Sequence, residues 1–469
     1  MGVDQQNVRR WSGAMTLVLV VVLFAGALFG YDQGVISGAL EGLQRDFKLS
    51  PLLVEVVTSW VTLGALVGSL AGGEIADRLG RRKALLVAAA LFAAGAAIEA
   101  LAPSVTILVA GRLIVGFGVG VAAVAAPLYA AEIAPSEQRG RFVAAYQLAI
   151  TVGIFLAYLV DQALADEGRW RMMLGASAVP AILLFIAILP AVESSRWLVR
   201  MGNVDLARAT IKRSRPWVDP EVRLASIQES LRNEPPNASW SEVFARRWRR
   251  PLRIGIGLAV FQQITGINAV IYYSDRIFAA AGFATPQAQT MATTWAIGAV
   301  NVIATLIAIA FIDKLGRRPL LLAGLAGMCA SLVAVGLAFF SAGTGAMSPA
   351  AGIVTLVALV IFIVSFAFSL GPVVWTVINE IFPGQVRGRA VAVATAVNWG
   401  AAFLVSQFFL TLVGAVGEAG TFGLFALFCV VGGAWIYRNV PETKGRSLEQ
   451  IETLWEAAPA AASTARTAT

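Results

Sequence analysis

Two residues of opposite charge, Asp32 and Arg112, lie deep inside long apolar stretches of the sequence. Asp32 is about 8 residues from the outer end of the first stretch, and Arg112 is about 7 from the outer end of the fourth. At 1.5 Å per residue both lie roughly 10–12 Å from the same surface, so they can form the ion pair that a buried charge requires.

We expect no other charge at this depth, and the chain has no histidine. Proton chemistry therefore falls to Asp32, because protonation of its carboxylate removes the pair with Arg112 and frees the first helix to move against the fourth. The alternative is a static ion pair that only holds these two helices together.

Side-chain amides are a second group of polar residues within the apolar stretches. Amides donate and accept hydrogen bonds without a charge to desolvate, and aromatic faces beside them suit a neutral, polyhydroxylated ligand. A single amide inside a membrane is more often a contact between helices, but several amides together with two tryptophans favour a ligand site. The candidate binding residues are Gln147, Gln262, Gln263, Asn268, Asn301, Trp375, Asn398 and Trp399.

Two short loops share the pattern Asp-x-x-Gly-Arg-Arg, which places a carboxylate and a basic pair around a tight glycine turn. Charges there can pair with facing helices in one conformation and separate in another, as a latch. A second repeated pattern, Glu-x-x-Pro-x-x-x-Arg-Gly-Arg, predicts an ion pair between its Glu and its first Arg. The alternative is that these patterns only orient the chain. The candidate latch residues are Asp77, Arg81, Arg82, Glu132, Arg139, Asp313, Arg317, Arg318, Glu380 and Arg387.

Membrane-spanning helices must position these residues. Of the 469 residues 58% are hydrophobic and 14% are charged, whereas soluble domains average roughly 25% charged residues. A spanning helix needs about 20 apolar residues, and twelve runs qualify. They lie near residues 14–40, 52–76, 84–102, 105–131, 142–163, 171–191, 252–281, 290–312, 320–341, 350–380, 389–413 and 419–440.

The predicted spans are arranged as six, a polar segment and six more. The sequence therefore predicts an N-terminal six-helix bundle over 1–192, a cytoplasmic helical linker over 193–250, a C-terminal six-helix bundle over 251–440 and a cytoplasmic tail over 441–469. In the linker, Asp219 followed by Pro220 predicts the start of a short helix.

The basic residues indicate the orientation of the chain. Lys and Arg total 36 against 28 acidic residues, a formal net charge of +8. Nucleic-acid binders are also basic, but here the basic residues cluster in alternate short loops, as expected of cytoplasmic loops. We expect both termini in the cytoplasm of a plasma-membrane protein, with no nucleic-acid partner.

The two halves of the chain repeat each other. The Asp-x-x-Gly-Arg-Arg pattern follows the second span of each half, and the Glu-x-x-Pro pattern follows the fourth. Two halves in the same orientation are parallel repeats, which predicts a binding site between them near the middle of the membrane.

Residue types that would indicate other functions do not form the required patterns. Cys329 and Cys429, the two cysteines, both lie in apolar runs, so neither a disulfide nor a metal site is expected. The chain has no Gly-x-x-x-x-Gly-Lys-Ser/Thr motif for ATP and no visible nucleophile and base set. We expect no enzyme activity and no cofactor beyond a proton as coupling ion.

The loop over residues 73–83 resembles the signature of the major facilitator superfamily. The repeated Glu-x-x-Pro-x-x-x-Arg-Gly-Arg, the Glu193-Ser-Ser-Arg-Trp197 and the Pro441-Glu-Thr-Lys-Gly445 resemble its sugar porter family, and the match extends over roughly residues 14–452. The chain departs from the family at Val192 and Ser195, where prolines usually flank the Glu-Ser pair.

The resemblance implies an all-α membrane protein with twelve transmembrane helices in two six-helix parallel-repeat halves, the major facilitator fold, and short cytoplasmic helices between them. It also implies that the amides and tryptophans above contact substrate. The family's proton symporters have an aspartate at the position of Asp32, within Gly30-Tyr-Asp-Gln-Gly34, where animal facilitative carriers have a neutral residue. Ile154 stands where xylose symporters have a glutamine, which disfavours a xylose specialist.

The predicted function is import of a monosaccharide or polyol with a proton by alternating access. A uniporter of the same fold and a sugar receptor that does not transport are the alternatives. The sequence predicts neither the particular sugar nor, beyond an expected functional monomer, the oligomeric state.

Overall fold

A computed structural model of the protein describes residues 12–134, 139–165, 168–232, 240–343, 345, 347–382, 386–444 and 450–451; within these ranges the side chains of 139, 140, 143, 240, 312 and 313 are not described. All regular structure in the described ranges is helical. Twelve helical segments of this part of the chain are long and apolar enough to cross a membrane. The predicted twelve-helix, all-α fold class is therefore confirmed.

The chain separates into two compact units, Met1–Glu234 and Pro235–Thr469. The division falls inside the segment that the sequence assigns to a linker, and the helices of that segment up to residue 232 belong to the first unit. Each unit contains six of the candidate spans.

The first unit is built from ten helices within its described residues. They are α1 (Gly13–Phe47), α2 (Pro51–Leu79), α3 (Arg81–Ala100), α4 (Val105–Ile133), α5 (Arg139–Leu164), α6 (Trp170–Ala176), α7 (Ala178–Ile188), α8 (Ser195–Arg200), α9 (Val204–Ser214) and α10 (Pro220–Arg232). The helices α6 and α7 together form the sixth candidate span, Trp170–Ile188.

The second unit has eleven α-helices within its described residues, a 3₁₀ turn at Arg246–Trp248 and a π-helical segment at Thr293–Ala299. The α-helices are α11 (Trp240–Val243), α12 (Arg249–Ile264), α13 (Ile267–Tyr272), α14 (Ser274–Ala280), α15 (Pro286–Ala292), α16 (Val300–Leu315), α17 (Arg317–Ala342), α18 (Pro349–Phe368), α19 (Leu370–Ile381), α20 (Arg387–Gln407) and α21 (Phe409–Asn439).

Several spans begin at a hydroxyl residue followed by proline. The side chain of Ser50 accepts a hydrogen bond from the backbone N–H three residues on, and Thr285 and Ser348 do the same before α15 and α18. Proline at the first helical position lacks an N–H that would be unpaired there in any case, so these dipeptides start helices at little cost.

The helices α8, α9 and α10 are short and pack around one apolar cluster. Its buried members are Leu198, Ala207, Ile211, Leu224 and Ile227. The predicted start at Asp219 is confirmed, since its Oδ1 accepts a hydrogen bond from the N–H of Glu221 at 2.8 Å, at the first turn of α10. Three short helices form a small apolar core that none of them could form alone.

Candidate functional site

Arg112 lies at the centre of a buried ion cluster in the first unit. Its Nη1 atom is 2.8 Å from Oδ1 of Asp32 on α1 and 3.1 Å from Oε2 of Glu99 on α3. The three side chains are 0%, 4% and 1% exposed, for Arg112, Asp32 and Glu99 respectively. The structure therefore brings the predicted pair together, and the role of that pair in proton coupling stays a prediction.

Glu99 corrects the expectation that Asp32 and Arg112 carry the only charges deep in the spans. It lies in the third span, near the C-terminal end of α3, and its side chain reaches the same guanidinium group. Sequence reasoning missed it because the position alone suggests a carboxylate facing the loop. A usable signal was present: Arg112 is a cation inside the spans, so each carboxylate near its depth, Glu99 included, is a candidate partner for it. Three further carboxylates are buried in the described spans and their margins, those of Glu55, Asp161 and Asp275.

Glycines bring the helices that carry this cluster into backbone contact. A Cβ on Gly30 would lie 1.9 Å from the carbonyl oxygen of Ile150, so α1 and α5 touch directly beside Asp32. A Cβ on Gly111, one residue before Arg112, would lie 2.7 Å from Cγ of Glu99. Because glycine has no side chain, α3 approaches α4 closely enough for Glu99 to reach Arg112.

In the second unit, four of the predicted amides form one hydrogen-bonded network. Asn268 Nδ2 donates to Gln263 Oε1 at 2.8 Å, and Gln263 Nε2 donates to Asn398 Oδ1 at 3.2 Å. Asn398 Nδ2 donates in turn to Gln262 Oε1 at 2.7 Å. All four side chains are buried. The network joins α12, α13 and α20.

The network is placed at interruptions in the helices. Gly266 has a φ of +94° between α12 and α13, a backbone conformation that other residues rarely adopt. Gln262 Nε2 donates to the carbonyl oxygen of Leu370 at 2.7 Å, where α18 ends and α19 begins. Leu370 is the first residue of α19, so this hydrogen bond joins the amide of Gln262 directly to the break in the tenth span.

The interruption of the tenth span falls at Ser369, with φ −126° and ψ −89°, between α18 and α19. Proline lacks an N–H and its ring clashes with the carbonyl four residues earlier, which for Pro372 is the carbonyl of Phe368. The helix α18 therefore ends at Phe368, four residues before Pro372.

The remaining predicted binding residues lie outside the four-amide network. Trp399 is buried beside Asn398 on α20, Asn301 is buried on α16, and Trp375 is half-buried on α19. Gln147 is half-buried on α5 and belongs to the first unit. Their contact with a ligand stays a prediction.

The candidate latch of the first unit centres on Arg81 at the start of α3. Its Nη1 is 3.0 Å from Oδ1 of Asp77, and its Nη2 is 2.9 Å from Oε1 of Glu132. Arg81 and Glu132 are both nearly buried, whereas Asp77 is exposed. Glu132 was predicted to pair with Arg139, whose side chain lies outside the described part of the structure.

In the second unit, Arg317 Nη2 lies 3.2 Å from Oε1 of Glu380, the counterpart of the Arg81–Glu132 pair. Arg387, predicted as the partner of Glu380, donates from Nε to the carbonyl oxygen of Phe382 at 2.9 Å. The side chain of Asp313 lies outside the described residues. Both motifs of each half therefore meet in one cluster, which the sequence patterns taken separately did not indicate.

Two carboxylates beyond those predicted complete the latch turns. Glu193 Oε1 accepts hydrogen bonds from the backbone N–H groups of Arg81 at 3.0 Å and Arg82 at 3.2 Å, which begin α3. Burial raises the pKa of Glu193, and these backbone hydrogen bonds oppose the rise. The signal for this contact was Glu193 itself, which stands in the motif after the sixth span.

Glu442 accepts equivalent bonds, both at 3.0 Å, from the N–H groups of Arg317 and Arg318. Its partial burial acts to raise its pKa, but the backbone hydrogen bonds together outweigh burial and hold the pKa below its ordinary value. The two units thus repeat the same capped turn. Burial has the larger effect on the pKa of Glu193, whereas the backbone hydrogen bonds together have the larger effect on the pKa of Glu442.

Twelve candidate spans in two repeated units, with a buried ion cluster in one and an amide network at broken helices in the other, define a multi-pass membrane transporter. The chain belongs to the sugar transporter family, whose model, described as "Sugar (and other) transporter", matches residues 18–455. The resemblance to the sugar porters is therefore confirmed.

Relatives and solved structures agree with this assignment. The galactose-proton symporter of Escherichia coli is 38% identical over 453 residues, 96% of this chain and 96% of the relative. The glucose transporter GlcP of Staphylococcus epidermidis is 38% identical over 436 residues, 93% and 96% of the two chains. The xylose transporter XylE from E. coli, in a partially occluded inward-open conformation, matches with a TM-score of 0.81 and 29% identity over 93% of this chain and 100% of XylE. The major facilitator fold is thereby confirmed.

Proposed function

We propose that the protein imports a monosaccharide together with a proton by alternating access. The observation that carries the proposal is Asp32, a carboxylate buried in a membrane span and paired with Arg112 at 2.8 Å. A charge in that position is costly unless it has a partner, and in a transporter it marks a proton or substrate pathway. The sugar-proton symport of the galactose relative supports the same reading.

The chemistry assigned to Asp32 is reversible proton binding. The charged carboxylate holds α1 to α4 through Arg112, and the neutral acid releases that ion pair. One proton moving through 100 mV contributes about 2.3 kcal/mol, enough for roughly 50-fold accumulation of sugar. No cofactor other than the proton enters the proposal.

The buried amides are proposed to bind the sugar. Each amide both donates and accepts, as sugar hydroxyls do, so a network of four can exchange its internal hydrogen bonds for bonds to a ligand. Trp375, Trp399, Asn301 and Gln147 are proposed as further contacts. The relatives are named for galactose and glucose, which favours a monosaccharide without selecting one.

The basic loops support an orientation with both termini in the cytoplasm and a location in the plasma membrane. The latch residues lie at the cytoplasmic ends of the spans in this orientation. The proposed functional unit is a single chain, with the lipid bilayer, the sugar and the proton as its partners.

The test is uptake of labelled sugars into proteoliposomes with and without an imposed pH gradient, first for the unmutated protein and then for Asp32→Asn. The substitution is nearly isosteric and fixes the uncharged state. Exchange of sugar across the bilayer should survive, because it needs no net proton movement, whereas accumulation driven by the pH gradient should be lost. Some loss of stability is expected because Arg112 loses one partner.

The matched control is Asp275→Asn, which removes a buried carboxylate of the second unit. Thr293 donates a hydrogen bond to Asp275 Oδ1, and an asparagine oxygen can accept the same bond. Accumulation should persist in this variant. Accumulation by Asp32→Asn would show that the proton takes another route. Sugar uptake without any pH response in the unmutated protein would identify a uniporter, and sugar binding without uptake would identify a receptor.

A further inference from the structure

Glu99 and Asp32 share one nitrogen of Arg112. Nη1 of Arg112 lies 2.8 Å from Oδ1 of Asp32, and 3.2 Å and 3.1 Å from Oε1 and Oε2 of Glu99. All three side chains are buried. The ion pair through which the proton is proposed to act is therefore a three-membered cluster with two carboxylates and one cation.

The position of Glu99 depends on the packing of α3 against α4. A Cβ on Gly95, one turn before Glu99, would lie 2.6 Å from Cγ2 of Val115, and a Cβ on Gly111 would lie 2.7 Å from Cγ of Glu99. Glycines on both helices thus remove the side chains that would separate them. The close crossing of α3 and α4 therefore fixes the position of Glu99 beside Arg112.

The charged groups on the surrounding helices are few. The outer half of α4 contributes Arg112, α1 contributes Asp32, and α2 contributes the buried Glu55. On α5 the buried Asp161 accepts a hydrogen bond at its Oδ2 from the backbone N–H of Gly38 at 3.2 Å. On α6, Arg171 is half-exposed and donates to the carbonyl oxygen of Ala102 at 3.0 Å. The sequence of α7 contains no charged residue. Arg112 is thus the cation that both Glu99 and Asp32 contact.

Two like charges on one cation change the energetics of proton binding. When Asp32 is charged, the cluster carries two negative charges and one positive charge, and the carboxylates repel each other at short range. When Asp32 binds a proton, the repulsion is relieved and Glu99 still neutralises Arg112. A lone Asp32–Arg112 pair would instead leave Arg112 buried without a counter-ion, a costly state.

We propose that Glu99 is a positioning residue for proton coupling: it keeps Arg112 paired in both charge states of Asp32 and thereby favours proton uptake by Asp32. The inference rests on the proposed proton symport. Through Glu99 the third span then takes part in proton coupling, in addition to the Asp32–Arg112 pair of the first and fourth spans.

The test compares the pH dependence of sugar uptake by the unmutated protein and by Glu99→Gln in proteoliposomes. Glutamine removes the competing charge, so Arg112 then stabilises the charged form of Asp32 more strongly. We expect the pH of half-maximal uptake to fall by about one unit, which is a tenfold higher proton concentration. Sugar exchange without net proton movement should remain near the unmutated rate.

Two further variants control the measurement. Glu99→Asp keeps the charge on a side chain one methylene shorter, so its shift should have the same direction and a smaller size. Asp275→Asn removes a buried carboxylate that Thr293 contacts in the second unit, and its pH profile should match that of the unmutated protein. If Glu99→Gln cannot be purified, the shift of Glu99→Asp decides the question.

The outcomes separate this inference from the proposed function. If sugar uptake by the unmutated protein depends on pH and both Glu99 variants show the same pH profile, the inference is overturned and the proposed symport stands. Reduced yield of the Glu99 variants with unshifted profiles would assign Glu99 a structural role only, and would also overturn it. An unmutated protein without any pH response would overturn the proposed symport and this inference together.

Discussion

At the residue scale, the four-amide network shows how polar side chains are tolerated inside a membrane protein. Each amide of the network donates to or accepts from another amide or a backbone carbonyl, so the cost of burial is largely offset. A sugar bound at the proposed site must replace some of these bonds, and its affinity then depends on how well its hydroxyl groups reproduce them.

The first residue-scale prediction concerns Asn268, which is joined to the network through Gln263. Asn268→Ala removes one donor and one acceptor from the site and should weaken sugar binding by about 10- to 100-fold, since an unpaired buried partner costs about 1–3 kcal/mol. Gln262→Ala should weaken binding similarly and also lower the melting temperature, because the hydrogen bond from Gln262 on α12 to the carbonyl of Leu370 on α19 is lost.

Isothermal titration with the transported sugar, alongside thermal unfolding in detergent, measures both effects. Gln289→Ala is the control, since this amide donates to the carbonyl of Phe283 outside the network. Unchanged affinity in both network variants would place the sugar site elsewhere.

At the element scale, the latch turns show how a short motif joins two helices. Gly80 and Gly316 have φ values of +94° and +88°. Each turn leads into a helix whose first N–H groups are capped by a carboxylate that follows the sixth span of the unit, Glu193 or Glu442. The glycine supplies the conformation and the carboxylate satisfies donors that have no partner within the helix.

The element-scale prediction is that Gly80→Ala destabilises the first unit. Alanine is strained at this φ, and its Cβ would lie 2.4 Å from Oε2 of Glu193, which must move and lose its hydrogen bonds to α3. We expect a loss of roughly 1–3 kcal/mol, measured as a lower melting temperature of the purified protein. Gly73→Ala is the control, because a Cβ at this helical glycine meets nothing within 4 Å. Equal melting temperatures for the two variants would refute the proposed strain.

At the scale of the whole molecule, the two units share one design but contain different buried polar groups. The buried ion cluster belongs to the first unit and the amide network to the second, while the capped turn and its arginine–glutamate pair occur in both. Proton binding and sugar binding are therefore proposed to be coupled through changes between conformations of the whole chain, as alternating access requires.

The whole-molecule prediction concerns the latch as a conformational device. If the cluster around Arg81 stabilises the state closed to the cytoplasm, Asp77→Ala should raise the labelling rate of a cysteine at Ala392. This half-buried residue lies near the start of α20, the end that the proposed orientation places at the cytoplasm. Glu132→Gln should raise it further, because the Arg81–Glu132 pair is buried and the Asp77 carboxylate is exposed.

Labelling would be followed by mass spectrometry in a background without Cys329 and Cys429. Glu74→Gln, which removes an exposed partner of Arg78, is the control and should leave the rate unchanged. Unchanged labelling in both latch variants would reduce the motif to a signal for membrane orientation.

Hydropathy and local motifs were sufficient to predict the twelve spans, the repeat and the family, because each depends on residues close together in sequence. The same is true of the Asp32–Arg112 pair, since helical rise alone puts two residues of known position at one depth. The amides of the second half could be predicted as a group because three of them lie within seven residues of one another.

Contacts between helices decided the rest. Glu99 reaches Arg112 only because glycines let α3 and α4 touch, and Gln262 holds the carbonyl of Leu370 only because the tenth span breaks beside it. Glu193 and Glu442 reach turns more than 100 residues away in sequence. Such contacts depend on how closely two helices approach and which faces they present, and neither is encoded in the spacing of residues along a single helix.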